Sequence, residues 1–173
     1  GYQVLATGKG PCRLNMENTN GFDYAEMDFT DKQTTRHTVS KYAPDIIVHA
    51  GAISKPDDCE LDPALAWSVN TGATQHLLEA AADLGAFFVY ISTDFVFDGE
   101  QGMYIEEDQP APVNYYGQTK LESEKAVQQY KFPWAIVRTV LVYGKPLAGR
   151  NNILTIVKEK LEKGESYQVV DDQ

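Results

Sequence analysis

The sequence predicts an α/β fold built on a doubly wound parallel sheet. Residues 45–50 and 87–91 are short apolar runs with the β-branched and aromatic content of buried parallel strands. Between them, residues 63–84 repeat apolar side chains at helical spacing. The predicted core stripe of that helix consists of Leu65, Val69, Leu77, Leu78 and Ala81. Strands that alternate with a helical segment are typical of β-α-β units, whose strands are parallel.

The other elements follow in chain order. Residues 2–7 and residues 25–29 have the composition of short strands, and Thr30 or Asp31 can cap a helix that extends to Tyr42. His49 lies inside an apolar strand, which predicts a packed core side chain rather than a catalytic base. A further buried strand is predicted over residues 133–138, followed by a helix over residues 153–162.

Composition limits the classes of function. The chain has 173 residues, of which 43% are hydrophobic, enough for one domain with a core. Its net charge is −10 and it has no basic run, which argues against nucleic acid binding. No apolar run approaches about 18 residues, so we expect no membrane segment and a cytoplasmic protein. Cys12 and Cys59 have no C-x-x-C partner, so we expect no metal site.

Residues 87–127 form the stretch with the clearest chemical content. The strand at its start is followed by Ser92, Thr93 and Asp94, and a later helix carries Tyr116 and Lys120. Polar residues at the carboxyl end of a strand face the crevice where ligands bind in open α/β sheets. Tyr116 and Lys120 are four residues apart, so on a helix both point the same way.

This pattern suits proton transfer coupled to hydride transfer at a carbonyl. A free tyrosine has a pKa of about 10, and a nearby ammonium favours its phenolate, so we expect Lys120 to lower the pKa of Tyr116. The Thr93 hydroxyl can hold the substrate oxygen. An exposed Tyr/Lys pair without a function is the alternative, and the strand that ends in Ser-Thr upstream favours the catalytic interpretation.

Two motifs are similar to those of a known family. These are S-T-D-F-V-F-D-G at residues 92–99 and P-x-P-x-N-x-Y-G-x-T-K-L-E-x-E-K at residues 110–125. Together they resemble the extended short-chain dehydrogenase/reductase superfamily, and within it most closely the dTDP-4-dehydrorhamnose reductases. The regulatory subunit of methionine adenosyltransferase is a near cousin in this resemblance.

The resemblance implies a Rossmann-type domain whose start and end differ from the family's. The family's first β-α unit, which contains the Gly-rich turn, and the family's C-terminal substrate domain are expected to have no counterpart among these residues. We therefore expect residues 1–173 to form a partial NADP-binding domain, a fragment that is inactive or binds cofactor weakly by itself.

The resemblance also assigns the adenosine end of the cofactor site. The first strand corresponds to the family's second, which ends near the adenosine ribose. Thr7, Lys9 and Arg13 stand there without an acidic residue, which favours NADPH over NADH. Asp28 and Phe29 are the expected adenine contacts, although an aspartate that only satisfies loop amides is an equal alternative for Asp28.

Further residues are carried over from the family by position. The small-residue segment Ala50, Gly51 and Ala52 is expected along the cofactor, where small side chains allow close approach. Asn70 is expected to support the catalytic lysine. The full predicted set is catalytic Thr93, Tyr116 and Lys120; cofactor-binding Thr7, Lys9, Arg13, Asp28, Phe29, Ala50, Gly51, Ala52, Asn70, Tyr116, Lys120 and Val140; and substrate-binding Ser54, Thr93, Asp94, Phe95 and Tyr116.

The function that the resemblance implies is NADPH-dependent reduction of a nucleotide-linked 4-keto-6-deoxy sugar in dTDP-rhamnose biosynthesis. An epimerase or dehydratase of the same superfamily is one alternative, although Phe95 stands where a dehydratase usually has an acid. A non-catalytic regulatory subunit is the other. Leu141 occupies a position where rhamnose-pathway reductases often carry Trp, which leaves the sugar open. The expected partner is a nucleotide-sugar substrate, and a homodimer is compatible with the sequence.

Overall fold

The computed structural model describes residues 1–13, 20–144 and 152–168. Its strands are β1 (Val4–Gly8), β2 (Phe22–Glu26), β3 (Ile46–His49), β4 (Phe87–Thr93) and β5 (Trp134–Thr139). Its helices are α1 (Lys32–Tyr42), α2 (Pro56–Leu61), α3 (Pro63–Trp67), α4 (Ala73–Ala82), α5 (Tyr115–Gln128) and α6 (Ile153–Glu162). In these described ranges, no helix is long and apolar enough to cross a membrane.

All strand pairs are parallel, which confirms the predicted fold class. The strands form two hydrogen-bonded groups, β1–β2 and β3–β4–β5. Val4 pairs with Phe22 in the first group, and Thr93 pairs with Thr139 in the second. In the part of the chain that the structure describes, β1 and β3 are each bonded to one neighbouring strand.

The core lies between the three-stranded group and its covering helices. Phe88 and Tyr90 alternate along β4 on the face that the helices cover, and both are fully buried. Leu77 of α4 and Val127 of α5 belong to the same core cluster. Since α5 follows β4 through one loop, this packing places the start of α5 near the carboxyl end of β4.

The helix predicted over residues 63–84 is interrupted by a π-helical turn, Ser68–Gly72, between α3 and α4. Leu77, Leu78 and Ala81 are buried as predicted, and Val69 is half-buried. The prediction for Leu65 was wrong, because this side chain is 51% exposed. A π turn contains one more residue than an α-helical turn. Leu65 of α3, which precedes the π turn, is therefore rotated out of line with the buried apolar side chains of α4.

The second strand begins and ends three residues earlier than predicted. Parallel pairing with β1 runs from Phe22 to Glu26, and the chain then turns at Asp28, whose side chain accepts hydrogen bonds from the backbone and hydroxyl of Thr30. Asp31 caps α1 as predicted, accepting a hydrogen bond from the Thr34 amide.

His49 is a core residue, as the sequence predicted. Its ring contacts the rings of Phe29 and Tyr90, and its Nε2 atom lies 3.0 Å from the Thr74 hydroxyl. That hydroxyl donates its single proton to the Asn70 carbonyl, so Nε2 must be the donor to Thr74. Burial lowers the pKa of His49 to about 3, which keeps the ring neutral.

Candidate active site

The carboxyl end of β4 presents Thr93 in a fixed orientation. The Thr93 side chain is buried, and its hydroxyl caps a 3₁₀ turn, Asp94–Val96, by accepting a hydrogen bond from the Phe95 amide at 3.3 Å. The same hydroxyl donates to the Asp94 carboxylate at 3.0 Å. The turn therefore holds Thr93, Asp94 and Phe95 as one rigid group at the end of the strand.

Tyr116 enters the site from the first turn of α5. Asn114 caps this helix by accepting a hydrogen bond from the Gly117 amide at 2.8 Å. The Tyr116 ring is 8% exposed, packs against Cys59 and Ala66, and meets the Phe95 ring edge-on at 5.7 Å. Burial raises the pKa of Tyr116, while the Thr93 side chain lowers it. The phenol is consequently neutral at neutral pH, and the Thr93 side chain is close enough to affect its pKa.

Gly117 allows the start of α5 to touch the 3₁₀ turn directly. A Cβ atom at this position would lie 2.1 Å from the Phe95 carbonyl oxygen and 2.9 Å from Pro112. No side chain fits at such distances, so glycine is required for this contact. The close approach fixes the spacing between the Thr93 group and Tyr116.

Lys120 lies one helical turn after Tyr116, and it is 3% exposed. Its ammonium donates to the Ile91 carbonyl at 2.7 Å and lies 4.1 Å from the centre of the Tyr90 ring. Burial lowers the pKa of Lys120 to about 8, against the opposing effect of the Glu124 charge. The structure thus brings Thr93, Tyr116 and Lys120 to the same end of β4.

The expectation that Lys120 lowers the pKa of Tyr116 was wrong for this structure. Lys120 is not among the groups that shift the tyrosine pKa in the described residues, and the pKa is raised rather than lowered. The reason is that Tyr116 lies in an apolar cluster, where loss of water disfavours the phenolate more than the surrounding groups favour it.

Asn70 lies in the π turn and is 1% exposed. Its side chain accepts a hydrogen bond from the Ile53 amide at 2.8 Å and donates to the Thr119 hydroxyl at 2.9 Å. Lys120 is not among its partners in the described part of the chain, and support of the lysine through its neighbour Thr119 stays a prediction. The contacts join the segment after β3 to α5.

The residues predicted for the adenosine end lie at the ends of β1 and β2. The Lys9 ammonium is 2.8 Å from the Asp28 carboxylate, and this contact together with the Thr30 bonds lowers the pKa of Asp28 to about 2. Thr7 and Arg13 are exposed nearby in sequence, and within the described residues neither forms an ion pair with Lys9 or Asp28. Asp28 therefore satisfies a loop amide, as the alternative interpretation expected, and also pairs with Lys9.

The small-residue segment after β3 packs closely. A Cβ atom on Gly51 would lie 2.8 Å from the Phe29 ring, so these two predicted residues are in contact. Ala50 and Ser54 are exposed and Ala52 is half-buried. Val140, which follows β5, is 72% exposed. Because β3, β4 and β5 are neighbouring parallel strands, these segments open on the edge where Thr93 lies.

Comparison with protein families supports the assignment that the motifs suggested. The sequence profile of the RmlD substrate binding domain matches residues 7–173. The chain belongs to the RmlD substrate binding domain family. Its motifs and its parallel α/β fold also place this RmlD family member in the extended short-chain dehydrogenase/reductase superfamily.

Two kinds of relative have similar identity to this RmlD family member. Methionine adenosyltransferase 2 subunit beta of Rattus norvegicus is 37% identical over 139 residues, which cover 80% of this chain and 42% of that protein. The dTDP-4-dehydrorhamnose reductase of Escherichia coli K12 is 38% identical over 148 residues, which cover 84% of this chain and 48% of that protein. The chain spans about half the length of the curated relatives it matches.

A solved structure agrees with this relationship. The dTDP-4-dehydrorhamnose reductase of Bacillus anthracis, determined in complex with NADP, superimposes with a TM-score of 0.76 and 32% identity. The match covers 92% of this chain and 59% of that one. Within the RmlD family, a solved relative therefore binds NADP on the same fold.

Sequence reasoning missed two features of this RmlD-family site. Tyr90 lies under the Lys120 ammonium, and Glu124 binds Arg138 through two hydrogen bonds of 3.0 and 2.8 Å. The period of two along β4 places Tyr90 on the same face as Ser92, which was a usable signal. Across the described ranges, no group of three His, Cys, Asp or Glu side chains converges to hold a metal ion.

Proposed function

We propose that this chain carries the proton-transfer residues of an NADPH-dependent reductase that acts on a nucleotide-linked 4-keto-6-deoxy sugar. The observation that carries the proposal is the convergence of Thr93, Tyr116 and Lys120 at the carboxyl end of β4. The family and the similarity to dTDP-4-dehydrorhamnose reductase support the substrate class, with dTDP-4-dehydrorhamnose as the first candidate.

In this proposal Tyr116 is the proton donor. Reduction of a ketone needs a proton at the carbonyl oxygen, and the neutral Tyr116 phenol carries one, although burial raises its pKa and makes it a weaker acid. The Thr93 hydroxyl donates its single proton to Asp94 in this structure, and in the proposal it turns that proton toward the same substrate oxygen. In the proposal Lys120, cationic below about pH 8, binds the nicotinamide ribose and is not assigned to the phenolate, because it is not among the groups that shift the pKa of Tyr116 in the described residues.

The residues present fit NADPH at both ends of the proposed site. The Lys120 ammonium has three N–H donors and the Ile91 carbonyl accepts one, which leaves donors for the hydroxyls of the nicotinamide ribose. The Lys9 side chain is 80% exposed, so its charge is accessible to a 2′-phosphate even while it pairs with Asp28. When bound, NADPH supplies the hydride for the carbonyl carbon.

The residues after Thr93 favour a reductase over a dehydratase. Asp94 is followed by Phe95, whose ring packs on Tyr116 and leaves no second acid at that point of the 3₁₀ turn. We propose that Asp94 and Phe95 line the sugar pocket, with Ser54 on the neighbouring segment. The exposed Leu141 leaves the identity of the sugar to experiment.

The test is loss of NADPH absorbance when the full-length protein that contains this chain meets dTDP-4-dehydrorhamnose. We expect oxidation of NADPH, and we expect Tyr116→Phe to reduce kcat by about 10²- to 10⁴-fold with little change in NADPH affinity. Tyr115→Phe is the matched control, because this adjacent tyrosine contributes no group to the proposed chemistry. Equal activity of the two variants would contradict the role of Tyr116.

A non-catalytic regulatory subunit is the second candidate. It is favoured by the 37% identity to methionine adenosyltransferase 2 subunit beta, which nearly equals the 38% identity to the reductase. Binding of NADPH without oxidation by any 4-keto sugar, together with binding of a methionine adenosyltransferase catalytic subunit, would favour this candidate.

A further inference from the structure

The Lys120 ammonium is held by two consecutive residues of β4. Its Nζ atom lies 4.1 Å from the centre of the Tyr90 ring and donates a 2.7 Å hydrogen bond to the Ile91 carbonyl. Tyr90 and Lys120 are both almost completely buried, at 1% and 3% exposure. A cation that is removed from water over the face of an aromatic ring is attracted by the ring's quadrupole.

The charged and titratable groups near Lys120 do not form an ion pair with its ammonium in the described residues, so the contact with the Tyr90 ring matters for its stability. On α5, Glu124 is fully buried, but both of its carboxylate oxygens accept hydrogen bonds from Arg138 of β5. Tyr116 on α5 is a neutral phenol, and His49 on β3 is a neutral imidazole. Among the described residues the Lys120 ammonium therefore forms no ion pair with a carboxylate, although the Glu124 charge still raises its pKa, and a buried cation without an ion pair is unfavourable.

Tyr90 acts on the cation through its ring and not through a charge. Burial raises the pKa of Tyr90, so its phenol stays protonated at working pH. The attraction at 4.1 Å then comes from the neutral aromatic face, which a phenylalanine ring would also provide.

We propose that Tyr90 is a positioning residue of the proposed reductase site, whose ring face holds the Lys120 ammonium against β4, one helical turn after Tyr116. What this cation does in catalysis rests on the proposed function, whereas the contact between the ring and the ammonium does not. The sequence signal is an aromatic residue two positions before Ser92, on the same face of β4.

The test compares two rings of the same shape at position 90 in the full-length protein. Tyr90→Phe keeps the negative electrostatic potential of the ring face. A trifluorinated phenylalanine at the same position keeps the ring and loses most of that potential. The Lys120 pKa is read from the side-chain carbon resonance of ¹³C-labelled lysine, assigned with Lys120→Met. We expect Tyr90→Phe to leave this pKa close to the wild-type value, and the fluorinated ring to lower it by about one pH unit.

A kinetic readout separates the positioning role from a structural one. The alkaline limb of the pH profile of kcat/KM should move to lower pH in the fluorinated variant and stay in place in Tyr90→Phe. Equal Lys120 pKa values with the two rings would overturn the positioning proposal, whether or not the protein oxidises NADPH. A lowered pKa without oxidation of any keto sugar would uphold the contact and refute the proposed function alone.

Discussion

Tyr116 and Lys120 lie in nearly dry surroundings, and burial moves their pKa values in opposite directions. The pKa of the phenol rises and that of the ammonium falls to about 8, so a neutral donor and a cation coexist at neutral pH. In the proposed reduction the neutral phenol is the group that gives up a proton, and Lys120 is an ammonium below its pKa of about 8.

Lys9 provides a test of the cofactor preference at the scale of one residue. Its exposed ammonium is the positive charge that we expect to meet the 2′-phosphate, so Lys9→Ala should weaken NADPH binding several-fold and leave NADH binding unchanged. Calorimetric titration of the full-length protein with both cofactors measures this. Lys32→Ala is the control, since Lys32 is also exposed and paired, with Glu79 on α4. Equal loss of NADPH and NADH affinity would contradict the assignment.

His49 makes stability depend on pH. Its pKa is lowered to about 3 in the folded protein, below the value of about 6.5 of an unfolded chain, so the unfolded state binds the extra proton between these values. Stability from His49 is therefore present above about pH 6.5 and is lost as pH falls toward 3, by up to about 1.4 kcal/mol per pH unit. Urea unfolding at pH 7, 6 and 5 should show this loss, and His49→Phe should reduce its slope. A slope that is the same in both proteins would refute the prediction.

Several of these residue roles were predictable because they depend on local sequence. The burial of His49 follows from the apolar strand around it, and the meeting of Tyr116 with Thr93 follows from a strand, a loop and a helix in succession. The pairing of Lys9 with Asp28 was not predictable, because it depends on the register of β1 against β2. The direction of the Tyr116 pKa shift depends on burial by Cys59, Ala66 and Phe95, which come from three separate elements.

At the scale of elements, one buried ion pair joins α5 to β5 and to the long loop after β4. Arg138 binds Glu124 through two hydrogen bonds, donates to the Glu106 carbonyl at 3.3 Å, and lies 5.0 Å from the centre of the Phe97 ring. Since α5 carries Tyr116 and Lys120, this guanidinium sets the position of the helix against the sheet.

Removing Arg138 should be strongly destabilising. Arg138→Met leaves the Glu124 carboxylate buried without a partner, and we expect it to lower the free energy of unfolding by about 3–5 kcal/mol. Urea unfolding measures this loss, and Arg36→Met, which breaks an exposed pair with Asp83, should cost less than about 1 kcal/mol. Adding Glu124→Met to Arg138→Met should recover much of the loss. A cost for Arg138→Met as small as that of Arg36→Met would show that the pair is not desolvated.

Element type was easier to predict than element continuity. The apolar period over residues 63–84 correctly indicated a helix, and it gave no sign of the π turn at Ser68–Gly72. The Asn70 carbonyl in that turn accepts a local hydrogen bond from Thr74 and one from Ser123 of α5, and the spacing of residues along the chain does not contain the second contact. π turns often occur at functional sites, and this one connects through Asn70 to α5, which carries the proposed catalytic residues.

For the whole molecule, the division of the sheet into β1–β2 and β3–β4–β5 has a measurable effect. Within the described residues, β3 has one free edge, and its Val48 side chain is 61% exposed. Exposed strand edges with apolar side chains pair with other chains. We expect the 173-residue chain to self-associate at micromolar concentration in sedimentation velocity, and Val48→Lys to reduce this association. A monomer at all concentrations would contradict the expectation.

The overall fold was predictable because periodicity and apolar runs specify parallel strands and covering helices without tertiary information. The predicted strands and helices occur in the predicted order, although α2 was not predicted and the helix over residues 63–84 is divided by a π turn. The family match over residues 7–173 agrees with the motifs. The pairing of the strands into two groups depends on contacts between distant segments, which the spacing of residues along the chain does not contain.

Gly117 has a practical consequence for anyone who wishes to change the substrate range of this protein. A library that randomises the start of α5 will lose nearly all members that vary position 117, because any Cβ atom there would collide with the Phe95 carbonyl oxygen at 2.1 Å. The next residue, Gln118, is exposed and can be varied freely. Diversity is better directed to Phe95 and Ser54, where changes in side-chain size alter the proposed pocket and leave the helix in place.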